Sequence, residues 1–484
     1  MSDHQSHRTP TLVTDHRTTR RAVTAAAIGN ATEWYDFGVY SYLAVTIGLV
    51  FYPSQSQGVQ LIATFTTFAA AFLVRPLGGL FFGPLGDRVG RQRILAVTML
   101  LMAVGTFSIG LIPSAATIGI AAPLLLLAAR MVQGFSTGGE YGGATTFIAE
   151  YAPDRRRGFL ASWLEFGTVS GYVGGASVVT LMTLLLGSDT MTDWGWRVPF
   201  LLALPLGAVG LYLRLKLEET PVFSQETEGF AKDAEGHRRT GQFRETIIGQ
   251  WPALLLCVGL VMAFNVNNYM VTAYLPTYLN AELGYSSALG LVMTLTAMVF
   301  MLVAVTFFGR LSDRVGRRPV LLSGCLASIA LSLPAFWLLQ RGSLVAVALG
   351  VLVLALTLVH FSGSAPASLP ALFPTRVRYG ALAIGFNVSV ALFGGTTPLI
   401  AESLVRSTGN LYSPAWLVMA AGAVGLVVVW RMKESAGEPL PGAPHIPVPD
   451  RDPALAARLP YPRRDGDGMP SPRPSNVRRL PADG

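Results

Sequence analysis

The stretch Gly83-Pro84-Leu85-Gly86-Asp87-Arg88-Val89-Gly90-Arg91-Gln92-Arg93 returns as Gly309-Arg310-Leu311-Ser312-Asp313-Arg314-Val315-Gly316-Arg317-Arg318-Pro319. Each copy is a short basic loop between two long apolar segments, so the chain is built of two similar halves. About 20 apolar residues carry a helix across a bilayer. Windows of that kind fall at 22–50, 59–82, 94–112, 117–150, 159–186, 197–213, 252–279, 289–308, 320–339, 344–372, 380–404 and 412–430. The predicted fold is an all-α membrane protein with twelve transmembrane helices in two six-helix bundles.

Composition excludes a soluble chain: 51% of residues are hydrophobic, 13% are charged, and mean hydropathy is +0.47. The bilayer is the solvent, and Lys and Arg report the orientation within it. Arg20 and Arg21, Arg88 to Arg93, Arg155 to Arg157, Lys216 to Arg244, Arg314 to Arg318, Arg376 and Arg378, then Arg431 and Lys433 occupy alternate connections. The opposite loops at 52–60, 113–117, 187–193 and 281–287 contain neither Lys nor Arg, and Arg341 and Arg406 are the exceptions on that side. Both termini are therefore expected in the cytoplasm. The net charge of +8 belongs to these loops and the tail, which excludes nucleic acid as a partner.

Domain limits follow from composition. Residues 1–21 are polar and basic, and the apolar stretch after them has no cleavage site, so it reads as an uncleaved first helix. The six-helix halves cover 22–216 and 249–434, separated by a charged, nonperiodic linker at 217–248. Residues 435–484 are rich in Pro and Arg without apolar heptads, so they are expected to be disordered. Cys257 and Cys325 lie in apolar segments without metal-ligand spacing and read as inert packing. No P-loop, G-x-S-x-G, HExxH or paired CxxC is present, so neither an enzyme nor a metal site is expected.

Ionisable groups within the spans cost a few kcal/mol each on insertion scales, so each is a functional candidate. They crowd into the first half. Glu33 and Asp36 share one face of span 1 at i and i+3, with Asp36 about 21 Å along the helix from Ala22. Span 2 carries Arg75, span 4 Arg130 and Glu140, and span 5 Glu165. Seven residues on from Gly158 is Glu165, whereas seven on from the equivalent Gly380 is the neutral Asn387. Asp36, Glu140, Glu165 and Glu33 are therefore the candidates for proton coupling. Burial disfavours a carboxylate's charged form and brings its titration toward the working range.

The alternative for Arg75, Arg130, Asp36 and Glu140 is a fixed ionic network that holds helices together. Candidates for the solute are Arg75 and Arg130 with Trp34, Tyr40, Tyr141, Trp163, Asn265, Asn268 and Tyr269, whose aromatic faces suit a quaternary ammonium. His360 in span 10 reads as packing or pore lining. Glycines at 134, 138, 139, 142 and 143 read as helix-packing positions.

The repeated loop resembles that between helices 2 and 3 and helices 8 and 9 of the major facilitator superfamily. The strings Glu33-Trp34-Tyr35-Asp36-Phe37-Gly38-Val39-Tyr40, Gln133-Gly134-Phe135-Ser136-Thr137-Gly138-Gly139-Glu140-Tyr141, Ala149-Glu150-Tyr151-Ala152-Pro153-Asp154-Arg155 and Leu217-Glu218-Glu219-Thr220-Pro221 resemble its metabolite:proton symporter family. That resemblance covers about residues 20 to 434. It implies alternating access and cotransport of a small carboxylate-bearing or zwitterionic solute with H+, with proline and glycine betaine first, organic acids as the alternative, and a nontransporting sensor on the same fold as the last reading. It further implies that Asp87, Arg88 and Arg91, and Asp313, Arg314 and Arg317, form gating loops. No cofactor beyond the coupling proton is expected, and the working unit is expected to be a monomer in a lipid bilayer of a bacterial cytoplasmic membrane. Two departures stand out: the tail lacks the coiled coil of an osmosensing relative, and the residues around Asn267 and Asn268 differ.

Overall fold

The computed structural model describes residues 16–89, 91–138, 140–216 and 248–443. The linker expected at 217–248 lies outside the described residues up to 247, as do 1–15 and the tail from 444 onward. Among the described residues every regular element is helical. The first half runs α1 (His16–Tyr42, continued by Ala44–Phe51), α2 (Gln57–Val89), α3 (Arg91–Leu111), α4 (Ala121–Ser136 and Glu140–Tyr151), α5 (Arg157–Thr190) and α6 (Arg197–Leu201 and Ala203–Lys216). The second half begins with α7, which starts at Trp251–Tyr269 and reaches Glu282 through π turns at Met270–Tyr274 and Tyr278–Glu282. It continues as α8 (Ser287–Val315), α9 (Arg317–Leu339), α10 (Leu344–Ser368), α11 (Thr375–Ser389, a π turn at Val390–Gly394, then Thr397–Thr408) and α12 (Ser413–Arg431).

Eight of these helices are long and apolar enough to cross a membrane on their own, and α3 and α6 contain shorter apolar stretches. Helices α1 and α4 fall short for physical reasons. The first carries Glu33 and Asp36 on a face turned inward, and both side chains are buried. The second, expected to be continuous over 117–150, leaves the helix at Thr137 and Gly138, and its first piece has only 16 residues. Breaks of this kind are tolerated at membrane depth where protein covers the backbone.

The halves meet along two repeat-related contacts, α5 against α8 and α2 against α11. Within the first half α1 crosses α5, and α2 crosses α4. Those crossings depend on absent side chains: a Cβ built on Gly134 would sit 1.8 Å from the Ala71 carbonyl oxygen, and one on Gly171 2.2 Å from that of Ala31. Small residues let backbones approach where no hydrophobic effect drives association. Large apolar side chains such as Val303, Leu185 and Trp430 point outward, as lipid contact requires.

The α4–α5, α8–α9 and α10–α11 loops lie at one end, which holds the basic residues. Arg378 there bonds Glu150 across the halves at 2.6 Å. Gly316, at φ 111°, makes the sharp α8–α9 turn that residues with a Cβ rarely adopt. Beyond α12 the chain folds back over this end through residue 443. The Glu434 carboxylate accepts from the N–H groups of Arg317 and Arg318 at the start of α9, both at 3.0 Å. Arg157 of the first half donates to the Glu438 carbonyl at 2.9 Å, and Arg378 of the second to that of Pro441 at 2.8 Å.

Candidate functional site

Three aromatic side chains of the first half, Phe37 on α1 with Phe68 and Phe72 on α2, hold two guanidinium groups between the bundles. The Arg75 and Arg130 guanidinium carbons stand 5.4 and 5.2 Å from the Phe37 ring centre. Arg75 also lies over Phe72 and Trp34, and Arg130 over Tyr40 at 4.2 Å and Phe68 at 5.2 Å. The second half closes this box with Tyr269, whose ring meets Phe72 edge-on at 5.3 Å and Phe68 at 6.1 Å. The faces of these rings compensate part of the lost hydration of each cation, at about 0.5–2 kcal/mol per contact.

Among the described residues, both arginines keep donors in reserve. Arg75 donates one N–H to Glu33 at 2.6 Å, while its Nε and Nη1 find no partner. Arg130 donates to Gln133 of its own helix, while its Nε and Nη2 find none. The Tyr269 hydroxyl and Asn265 Nδ2 are likewise unpaired. Arg75, Arg130 and Tyr269 are at most 1% exposed. Leaving a buried donor unpaired costs about 1–3 kcal/mol, so this concentration of donors marks a candidate anion site.

Asp36 is buried on the same helix face as Glu33 and, among the described residues, is bound by no cation. It accepts from the Thr106 hydroxyl of α3 at 2.8 Å, and the same hydroxyl oxygen accepts from Gln133 Nε2 at 2.8 Å. Thr106 can instead turn its proton to the Met102 carbonyl, 3.0 Å away. The hydroxyl therefore suits both forms of the carboxyl group: it donates to an ionised Asp36 and accepts from a protonated one.

Glu165 on α5 is 3% exposed and accepts from the Tyr141 hydroxyl. Among the described residues no cation pairs with it. The Tyr141 ring lies flat on Phe386 of α11, with centroids 4.0 Å apart and planes at 12°. Beside this stack, Asn387 donates to the Gly138 carbonyl, exposed by the break in α4, at 2.6 Å. Nearer the basic end, Asp313 of α8 accepts from the Gly158 and Phe159 N–H groups at 2.7 and 2.8 Å, capping the start of α5 across the interface. Arg317 reaches Asp313 at 3.8 Å, and Arg314 is exposed.

The opposite end is shut as well. Tyr274 packs on Phe65 at 6.0 Å and donates to Glu402 at 3.0 Å, and Arg406, which bonds Glu402 and Glu282, lies against Gly58. The halves are thus in contact on both sides of the aromatic group.

Of the residues singled out from sequence, Arg75, Arg130, Trp34, Tyr40 and Tyr269 come together with Phe37, Phe68 and Phe72, and Glu33 belongs to the same group through Arg75. Tyr40 supports Arg130 from below and spends its hydroxyl on the Thr64 carbonyl. Asn268 is buried next to Tyr269, and its carbonyl accepts from Thr272. Trp163 stands apart, its ring neighbours being Phe159 and Phe166 of its own helix. Tyr141 belongs to the inter-half contact rather than to the box. The side chains of Asp87, Arg88, Arg91 and Glu140 lie outside the described residues. Of the ionic network considered for Arg75, Arg130, Asp36 and Glu140, the Glu140 side chain lies outside the described residues, and among the described residues Arg75 pairs with Glu33. His360 bonds its own helix and faces Phe308. Thr106 and Phe386 carry no sequence signal beyond an ordinary helix residue, and Gln133 entered only as the first residue of a family-like string.

Residues 22–445 match the profile of the sugar (and other) transporter family. The chain is 50% identical over 436 residues to the glycine betaine/proline/ectoine/pipecolic acid transporter of Dickeya dadantii, covering 90% of this chain and 87% of that one. It is 50% identical to the proline/betaine transporter of Escherichia coli K12, over 88% and 85% of the two chains. The ectoine/proline transporter of Corynebacterium glutamicum is 44% identical over 88% and 86%. Among solved structures, the major facilitator superfamily proton:xylose symporter XylE superposes with a TM-score of 0.70 at 19% identity, over 87% of this chain and 97% of that one. That likeness is one of fold.

Proposed function

Because the chain belongs to the sugar (and other) transporter family, we propose that it takes proline, glycine betaine and similar zwitterionic solutes into a bacterial cell by proton-coupled alternating access. The observation that carries this reading is the set of unpaired donors on Arg75, Arg130 and Tyr269 inside an aromatic box between the halves. A solute carboxylate fits the guanidinium donors, which bind such groups with charge-assisted bonds. The ammonium of the same solute fits the ring faces of Trp34, Phe68, Phe72 and Tyr269. A zwitterion satisfies both at once, whereas a dicarboxylate would leave the aromatic side unused.

Asp36 takes the coupling proton. Thr106 accommodates either protonation state, and Gln133 joins that hydroxyl to Arg130. Each positive charge moved inward gains about 2.3 kcal/mol per 100 mV of membrane potential. With the basic loops in the cytoplasm, α4, α5, α8 and α11 close the inner side, and Tyr274, Glu402 and Arg406 the outer. The working unit is one chain in the cytoplasmic membrane, with both termini inside and no cofactor other than the proton.

Uptake of labelled proline and glycine betaine into proteoliposomes, with and without an inward proton gradient, tests the proposal. Accumulation that requires the gradient supports it. Transport of dicarboxylates or citrate with neither zwitterion taken up would refute it.

A further inference from the structure

Resting on the proton-coupled reading above, we propose that Glu165 is the residue through which proton uptake releases the inner gate, with Tyr141 as its positioning partner. Asp36 cannot do this by contact, because its hydrogen bond runs to Thr106 within the first half. Glu165 is one side chain away from the other half. Its carboxylate holds the Tyr141 hydroxyl, and the Tyr141 ring is stacked on Phe386. The next residue, Asn387, clasps the Gly138 carbonyl, and Gly142 abuts Ala383 one turn before Asn387. Gly138, Tyr141 and Gly142 thus form one seam with Ala383, Phe386 and Asn387 of α11, and Glu165 stands behind its aromatic member.

Among the described residues, the other charged groups packed against α5 are bonded elsewhere. Glu33 of α1 bonds Arg75 of α2, Asp313 of α8 caps the first turn of α5, and His360 of α10 bonds its own helix. Tyr172 of α5 and Tyr269 of α7 are neutral phenols. When Glu165 is ionised, the Tyr141 bond is charge-assisted and the ring is held on Phe386. A proton added to the carboxylate converts that bond to a neutral one, and the seam weakens by about fivefold in its closed-to-open ratio. That proton is the coupling proton passed on from Asp36 on α1, which crosses α5, and it leaves to the cytoplasmic water once the seam opens. The empty, deprotonated carrier then recloses inward and faces out, which is the direction an uptake cycle requires.

A cross-link across the seam reads this directly, without solute or gradient. A Cβ built on Gly142 lies 3.4 Å from the Ala383 Cβ, close to the spacing of about 3.8 Å in disulfides. In Gly142→Cys/Ala383→Cys membranes oxidised at one fixed pH, adding Glu165→Gln is expected to lower the disulfide yield about fivefold. Adding Glu165→Asp should preserve the yield, and adding Asp36→Asn should leave it unchanged. Tyr141→Phe alone should lower it at least as much as Glu165→Gln, and adding Glu165→Gln to Tyr141→Phe should lower it no further. Retained binding of labelled proline identifies folded variants, and Tyr141→Phe carries the test if Glu165→Gln does not fold. An undiminished yield in folded Glu165→Gln, or in Tyr141→Phe, would overturn the proposal. A failure of proton-coupled uptake with the cross-link effect intact would instead count against the transport reading.

Discussion

Asp36 and Arg130 are joined not by an ion pair but by two neutral side chains: Arg130 donates to Gln133, Gln133 to Thr106, and Thr106 to Asp36. A direct pair would fix Asp36 as an anion. A hydroxyl that can rotate lets the carboxyl group gain and lose a proton while Gln133 stays in place.

Replacing Thr106 by Val therefore removes a proton partner without changing size. Asp36 and Gln133 each lose a hydrogen bond in a buried site, a loss of about 1–3 kcal/mol. Gradient-driven proline accumulation is expected to fall about tenfold or more, with Thr106→Ser near wild type. Equal accumulation by Val and Ser variants would contradict this role.

The Arg75–Glu33 pair is buried on both sides, at 1% and 2% exposure. Removing one partner leaves a buried charge unpaired, at about 3–5 kcal/mol. Glu33→Ala is expected to lower the thermal unfolding midpoint sharply, and Glu33→Leu with Arg75→Met to regain most of it. The double variant should still fail in uptake, because Arg75 supplies donors to the solute. Thermal unfolding in detergent and uptake in vesicles separate the two effects.

Glu434 caps α9 from beyond α12. Burial opposes its ionisation, but the backbone N–H groups of Ala436, Arg317, Ser435 and Arg318 outweigh it and hold the carboxyl below its usual 4.5. A lowered folded pKa means that the cap is fully present above 4.5 and is lost as the pH falls through the lower folded value. Hydrogen exchange at the Arg317 and Arg318 amides should be slow at neutral pH and accelerate below that point. Glu434→Ala should exchange fast at every pH, with a cost of about 1 kcal/mol or less for so solvent-accessible a cap.

Much of this architecture is legible in the chain. The repeated basic loop announces two halves, and the intramembrane charges at 33, 36, 75, 130 and 165 mark the interior because burying them is costly. The interruption of α4 was not legible, since Gly138 reads as a helix-packing glycine and only the backbone shows its carbonyl turned to Asn387. Nor were Thr106 and Gln133, because a Thr and a Gln in an apolar helix read as polar residues bonding their own backbone. Counting along the repeat pairs Glu165 with Asn387, and both stand at the seam between α4 and α11. The partner of each became visible only when the halves were brought face to face.

The most direct test of the account is proton movement evoked by the solute. In proteoliposomes loaded with a pH-sensitive dye and held without an imposed gradient, adding proline outside should acidify the lumen with wild-type protein and fail to do so with Asp36→Asn that still binds proline. Acidification by Asp36→Asn at the wild-type rate would contradict the assignment of the coupling proton to Asp36. Proline entry without acidification in the wild type would contradict symport itself.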